Sequence, residues 1–294
     1  MRTAVFWGCC ILTEHYAYEM SVREVMPKLG VELVDLKSTS CCGDPIKSVN
    51  DLAVTYLSAR ILALANARET GLHDLLVPCN RCHLTLSEAK YRLENAPETR
   101  NKVKSLLAEE GLQYSGELRI WHLIDLLHDE IRPEGVKKKV KLPLNGLRLA
   151  THPGCQILRP SEIGRVDNAE VPKKLDELVQ TLGAETIDYN EKLDCCGSAL
   201  LPTHQDAALS LAGAKIKTLQ ESGAHGLFVS CPECHLMYDA RQEAAAATVG
   251  GKLALPVFYY TQLLGIALGL DNEKLGLQLN KSPVEELLKK HKLA

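Results

Sequence analysis

Eleven cysteines are spread through 294 residues: Cys9, Cys10, Cys41, Cys42, Cys79, Cys82, Cys155, Cys195, Cys196, Cys231 and Cys234. No export signal opens the chain, so these thiols are expected to serve as metal ligands or reactive groups rather than as bridges. Their spacing narrows the chemistry. Cys79-Asn80-Arg81-Cys82 and Cys231-Pro232-Glu233-Cys234 are Cys-x-x-Cys pairs; Cys41-Cys42-Gly43 and Cys195-Cys196-Gly197 are adjacent pairs; Cys9 and Cys155 stand alone. A structural zinc takes four ligands in a tetrahedron, and ordinary cubane clusters also take four cysteines, in tighter runs. Adjacent cysteines chelate one ion poorly, because the ring closed through a single peptide is strained. Two neighbouring thiolates can instead serve two irons, or one can bridge them. One, two and two thiolates therefore suit a polynuclear iron–sulfur site better than a single ion. The alternatives are zinc, a thioredoxin-like pair at Cys79/Cys82 or Cys231/Cys234, and simple burial of a small apolar side chain. Cys10 has only Gln156 as counterpart and is read as a non-ligand.

The cysteine order occurs twice. Between Cys9 and Cys41 lie 31 residues, and between Cys42 and Cys79 lie 36; the second set has 39 and 34. Flanking stretches repeat too. Glu69-Thr70-Gly71-Leu72-His73 parallels Glu221-Ser222-Gly223-Ala224-His225, and Gly30-Val31-Glu32-Leu33-Val34-Asp35 parallels Gly183-Ala184-Glu185-Thr186-Ile187-Asp188. The chain thus reads as two copies of one domain, with domains at 1–140 and 141–294. The junction falls near Pro133 to Gly146, where the Lys137-Lys138-Lys139 run reads as a solvated linker.

The elements that would position the thiols follow from hydrophobic pattern. Short apolar runs at Ala4 to Trp7, Leu33 to Leu36 and Leu75 to Val77 predict strands. Leu57, Ile61, Leu64 and Ala65 recur at helical spacing within a helix predicted over Leu52 to Ala67, with a counterpart over Ala207 to Leu219. Val284 to His291 predicts an amphipathic C-terminal helix. The expected fold class is α/β: two homologous tandem domains, each a small, mostly parallel sheet flanked by helices. Cys9, Cys79, Cys155 and Cys231 then fall just beyond strand C-termini, where open α/β sheets bind ligands.

Composition excludes several classes. With 46% hydrophobic and 24% charged residues the chain is globular, not disordered. A net charge of −3 argues against nucleic-acid binding. The sequence offers no transmembrane span of about 18 apolar residues. The run after Met1-Arg2 is short, ends at Gly8 and carries no cleavage pattern, so the expected location is cytoplasmic.

A single Cys, then Cys-Cys-Gly, then Cys-x-x-Cys, twice in tandem, resembles the cysteine-rich CCG-domain family, and within it the B-type subunits of heterodisulfide reductases. The resemblance extends to Phe6-Trp7-Gly8-Cys9, His152-Pro153-Gly154-Cys155, Leu158-Arg159-Pro160-Ser161, Cys234-His235-Leu236-Met237-Tyr238-Asp239 and Tyr260-Thr261-Gln262-Leu263-Leu264-Gly265. It implies two non-cubane [4Fe–4S] clusters. Five cysteines would hold each: Cys9, Cys41, Cys42, Cys79 and Cys82, then Cys155, Cys195, Cys196, Cys231 and Cys234. It implies reduction of a disulfide, or oxidation of thiols, between the clusters, with electrons delivered by two partners in the complex, a C-type iron–sulfur subunit and an A-type flavin subunit. In methanogens the substrate is the mixed disulfide of coenzyme M and coenzyme B. Non-methanogenic relatives handle other thiols or only relay electrons. Two features depart from the pattern: the 34-residue gap after Cys196 is one residue short, and Gln156 stands where methanogenic members typically carry His. Candidate catalytic residues are His152, His83 and His235, which could hydrogen-bond a cluster sulfur or pack structurally. Gly43 and Gly197 are candidate cofactor-contacting positions, where a missing Cβ admits close backbone approach. Trp7 and Trp121 read as core.

Overall fold

The computed structural model describes residues 1–66 and 71–293. It contains two four-stranded sheets with the strand orders β2-β1-β3-β4 and β6-β5-β7-β8. The first uses β1 (Arg2–Val5), β2 (Glu32–Asp35), β3 (Asp74–Leu76) and β4 (Arg119–Trp121). The second uses β5 (Arg148–His152), β6 (Glu185–Thr186), β7 (Gly226–Val229) and β8 (Val257–Tyr259). Every pairing is parallel, and the register repeats: Ala4 faces Leu75, and Ala150 faces Leu227. The two-domain α/β reading holds. The predicted strands fall within one or two residues of those observed.

Helices join the strands, as parallel pairing requires. Asn50 opens the helix Asp51–Ala65, its side chain accepting from the Ala53 amide at 3.0 Å. That helix ends two residues before the expected Ala67, which lies outside the described residues, as do Glu69 and Thr70 of the repeat and the final Ala294. Its counterpart is Gln205–Glu221, and the C-terminal helix is Val284–Lys290. Lys137, Lys138 and Lys139 are exposed, as a solvated linker requires. The central strands β3 and β7 are buried along their whole length, as expected where helices cover both faces of a parallel sheet. Leucines such as Leu75 and Leu227 are fully buried and each contributes roughly 2 kcal/mol.

The apolar core is continuous between the lobes. Helix Tyr16–Lys28 of the first lies against Tyr260–Ala267 of the second. There the Tyr18 ring stacks on Tyr259 with centroids 4.2 Å apart, and the Ser21 and Thr261 hydroxyls bond at 2.7 Å.

Candidate metal centre

The strand order places the switch point of each sheet between its two central strands, β1/β3 and β5/β7. Chain connections leave such a point in opposite directions, which opens a crevice at the carboxyl ends. Cys9 and Cys79 follow β1 and β3, and Cys155 and Cys231 follow β5 and β7. The Cys-Cys-Gly loops reach the same crevices. Gly43 and Gly197 hold left-handed backbone angles, φ +95° and +85°. A Cβ at Gly43 would lie 3.1 Å from Val54 Cα, and one at Gly197 would lie 2.7 Å from the Ala208 carbonyl oxygen. Their close approach is therefore to the following helix. Their amides point at the first thiol of the pair: Gly43 N–H donates to Cys41 Sγ at 3.5 Å and Gly197 N–H to Cys195 Sγ at 3.4 Å.

All eleven thiols are free. In the first lobe Cys42 lies within hydrogen-bonding reach of Cys41 and Cys82, and Cys82 also reaches Cys79. Cys9 is close enough to Cys41 to raise its pKa. The second lobe repeats the chain as Cys155, Cys195, Cys196, Cys234 and Cys231. One thiol in the first lobe and two in the second are held down as acceptors. Cys42 is lowered by hydrogen bonds from Cys41 and then Cys82, Cys195 by those from Cys155 and then Cys196, and Cys231 by that from Cys234. Cys42, Cys79, Cys82, Cys196, Cys231 and Cys234 are buried, whereas Cys9 and Cys195 are exposed. Cys10 Sγ donates to Glu233 Oε1 at 3.7 Å and lies 3.8 Å from Cys9 Sγ.

Among the described residues no group of three or more His, Cys, Asp or Glu is arranged as a site for a metal ion. The residues nonetheless suit an iron–sulfur group in kind. Each lobe offers five soft sulfur donors, more than the four of a tetrahedral ion. Buried hydrogen-bonding atoms beside the thiols, His152 Nε2 and Tyr238 OH, have no protein partner, and inorganic sulfide accepts hydrogen bonds.

The three candidate histidines sit in different surroundings. His152 is buried, and the Cys195 charge reaches it. His83 bonds the backbone at Ile120 and leaves Nδ1 unpartnered. His235 stacks on Tyr259 with centroids 3.9 Å apart, its Nδ1 3.9 Å from Asp239 and its Nε2 3.4 Å from Asn280 Nδ2. Burial pushes both His83 and His235 down to about 4, so at neutral pH they carry no charge.

Several site residues escaped the sequence reading. Gly8 and Gly154 precede the solitary cysteines at φ +72° and +82°. A Cβ at Gly8 would lie 2.7 Å from Cys82 Sγ, and one at Gly154 would lie 2.7 Å from Asn80 Nδ2 and 3.7 Å from Cys234 Sγ. Tyr18 OH is the second. It lies 3.2 Å from the Pro78 carbonyl and 2.9 Å from that of Ser230, the groups just before Cys79 and Cys231. One hydroxyl thus ties the two Cys-x-x-Cys turns together. The third is the pair Arg81 and Glu233, repeat-equivalent residues inside the two motifs, which meet at 3.9 Å. The glycines could have been found by aligning the halves. Tyr18 and the ion pair depend on how the lobes pack.

Comparison with known proteins agrees with this geometry. The cysteine-rich domain model (CCG) matches residues 3–87 and 149–239. The B-type subunit of the ferredoxin/F(420)H(2)-dependent CoB-CoM heterodisulfide reductase of Methanosarcina acetivorans is 33% identical over 98% of this chain and 96% of its own length. The 8-methylmenaquinol:fumarate reductase membrane anchor subunit of Wolinella succinogenes is 31% identical over 94% of this chain and 95% of its own. A crystal structure of a hypothetical protein from Helicobacter pylori shares the fold, with a TM-score of 0.76 and 19% identity over 95% of this chain and 51% of that one. Among the described residues no helix is long and apolar enough to cross a membrane.

Proposed function

The chain belongs to the family of tandem cysteine-rich CCG-domain proteins that includes the B-type subunits of heterodisulfide reductases, and from that premise we propose that it is the catalytic subunit of a heterodisulfide reductase-like complex. Domain 1–140 would hold one non-cubane [4Fe–4S] cluster through Cys9, Cys41, Cys42, Cys79 and Cys82. Domain 141–294 would hold the second through Cys155, Cys195, Cys196, Cys231 and Cys234. Bound there, such clusters supply single electrons to sulfur. The observation that carries the reading is the same linked series of thiols, built twice at the switch point of a parallel sheet.

Reducing a small-molecule disulfide takes two electrons and two protons and yields two thiols. The electrons would come from a C-type iron–sulfur subunit and an A-type flavin subunit in the cytoplasm. The chain's own residues bind and orient. Cys9 and Cys195 stand at the solvent side of their sets, where a substrate sulfur has access. Tyr18 and the Arg81–Glu233 pair hold the two turns at fixed separation. His152, kept neutral by burial, would present its ring to the charge of Cys195. Gln156 can hydrogen-bond but cannot carry a proton at neutral pH, which favours a substrate other than the methanogenic disulfide.

A second reading is a non-catalytic electron-transfer component of another complex, and the similarity to a fumarate reductase component favours it. The test is anaerobic purification with iron and acid-labile sulfide analysis, then disulfide-dependent oxidation of a reduced viologen dye. Eight irons per chain with thiol release support the first reading. Iron without turnover supports the second. Stoichiometric zinc overturns both.

A further inference from the structure

At three positions beside the thiols the repeat does not repeat. The strand registers set Phe6 opposite His152. Gly43 lies against Val54 as Gly197 lies against Ala208, which sets Ile61 opposite Lys215. Counting from the Cys-x-x-Cys pairs sets Leu86 opposite Tyr238. All six side chains are buried, Lys215 to 1% exposure. At these three positions the first lobe has apolar groups where the second has a base, a cation and a phenol; its own polar neighbours are Thr85, which hydrogen-bonds Cys42, and Arg81, whose cation meets the charges of Cys79 and of Cys231 across the lobes alike.

Lys215 Nζ lies 3.1 Å from His152 Nδ1 and 2.7 Å from the Asp194 carbonyl, to which it donates. It sits 5.5 Å from the centre of the Tyr238 ring, which meets His152 edge-on at 5.2 Å. Burying an ammonium costs several kcal/mol unless negative charge answers it. The charges that reach Lys215 are those of Cys234, Cys196, Asp194 and Cys195, three of the four being thiols. His152 Nδ1 also lies 3.1 Å from the Lys192 carbonyl. Nδ1 can accept from the ammonium or donate to that carbonyl, not both; with Lys215 charged and donating it accepts, the ring proton sits on Nε2, and the Lys192 carbonyl goes without the imidazole. That N–H and the Tyr238 hydroxyl are then two buried donors without protein partners; the charge of Cys195 is felt at the first, and those of Cys196 and Cys234 at the second. The segment Leu236–Ala240 that carries Tyr238 is a π-turn, whereas the first lobe runs on as one regular helix, Asn80–Asn95.

We propose that Lys215, positioned with His152 and Tyr238, makes the second-lobe thiol site the better host for negative charge, so that an electron entering the protein settles there before the first lobe. The electron-settling half of this rests on the two-cluster reading above. The charge half does not. Local positive charge and hydrogen bonds to sulfur are the protein's means of raising an iron–sulfur potential, and in a buried site they are screened little.

The test uses the full chain in two states. In iron-free, reduced protein, Lys215→Met keeps the stem and removes the charge. Cys195 alkylation by iodoacetamide at pH 7 is expected to slow about threefold or more, because the thiolate is the nucleophile, while Cys9 is unchanged. Ile61→Lys, if folded by circular dichroism, is expected to speed the first-lobe thiols instead. In anaerobically reconstituted protein, Lys215→Met is expected to lower the midpoint potential of the second-lobe signal and leave the first in place, the signals being assigned with Cys195→Ser. Unchanged Cys195 reactivity together with an unchanged midpoint overturns the inference. Slowed alkylation in a protein that takes up no iron keeps the charge assignment and overturns the cluster reading instead.

Discussion

The two lobes place their cysteines on nearly the same frame and surround them differently. Both set a solitary cysteine after one central strand and a Cys-x-x-Cys turn after the other. Both use a left-handed glycine to press the Cys-Cys loop onto a helix. At three repeat-equivalent buried positions the first lobe is apolar, with Phe6, Ile61 and Leu86, and the second polar, with His152, Lys215 and Tyr238. Ligand placement needs backbone geometry, which a duplication copies intact. The reactivity of the bound sulfur depends on the charges one layer behind it, and these differ without disturbing the fold. If each lobe holds the proposed cluster, two alike sites would share electrons evenly, and these unlike ones would not.

The largest expected effect separates the lobes outright. Cys195→Ser is expected to remove the second-lobe cluster signal and about half of the bound iron, leaving the first lobe's signal, as read by paramagnetic resonance and iron analysis. Loss of both signals would show that the lobes assemble as one unit. Next comes the glycine comparison. Gly8→Ala forces a left-handed backbone and drives a Cβ into Cys82 Sγ, for an expected loss of about 3 kcal/mol in urea unfolding. Gly154→Ala meets the Asn80 amide instead, a buried group held by the Pro153 carbonyl at 2.9 Å and by His122 at 3.0 Å, and is expected to cost about as much, ~3 kcal/mol. A clearly smaller loss would mean that Asn80 yields where Cys82 does not.

Tyr18→Phe should act on the lobes together. It strips a donor from the Pro78 and Ser230 carbonyls, an expected loss of about 2 kcal/mol with iron uptake reduced in both halves alike. A loss confined to one lobe would assign the hydroxyl to that side. The last effect lies between the lobes and shows only as the pH rises. Burial holds the Asp125 carboxyl up at about 8, against the pull of Lys174 from the second lobe. The folded chain keeps a proton there that the unfolded chain releases above about 4. Stability from this group is thus present at low pH and falls as pH rises through the interval up to 8. Asp125→Asn is expected to be more stable than the parent at pH 8.5, by up to several kcal/mol, and no different near pH 4, measured by thermal melts at both.

Much of this arrangement was legible in the residue order. The cysteine rhythm betrayed the duplication, and apolar runs located β1, β2 and β3 to within a residue or two, because buried parallel strands are near-continuous in apolar side chains. Helical spacing located Asp51–Ala65 and Gln205–Glu221. What escaped was whatever depends on tertiary neighbours. Lys215 sits among Ala214, Ile216 and Lys217 and looks like a surface lysine of an amphipathic helix. Only laying it over Ile61 exposes the exchange. Tyr18 carries no local signal at all, since its partners lie 60 and 212 residues away. Gly43 and Gly197 were singled out, but the close neighbour is a helix backbone.

The meeting of Arg81 with Glu233 has a consequence for assembly. In a symmetric pair of identical subunits, a residue near the axis faces its own twin. A dimer of first halves would set guanidinium against guanidinium, and a dimer of second halves carboxylate against carboxylate. Only a diverged pair can set opposite signs at that seam, so two copies of either half would bring like charges together where the whole chain brings opposite ones.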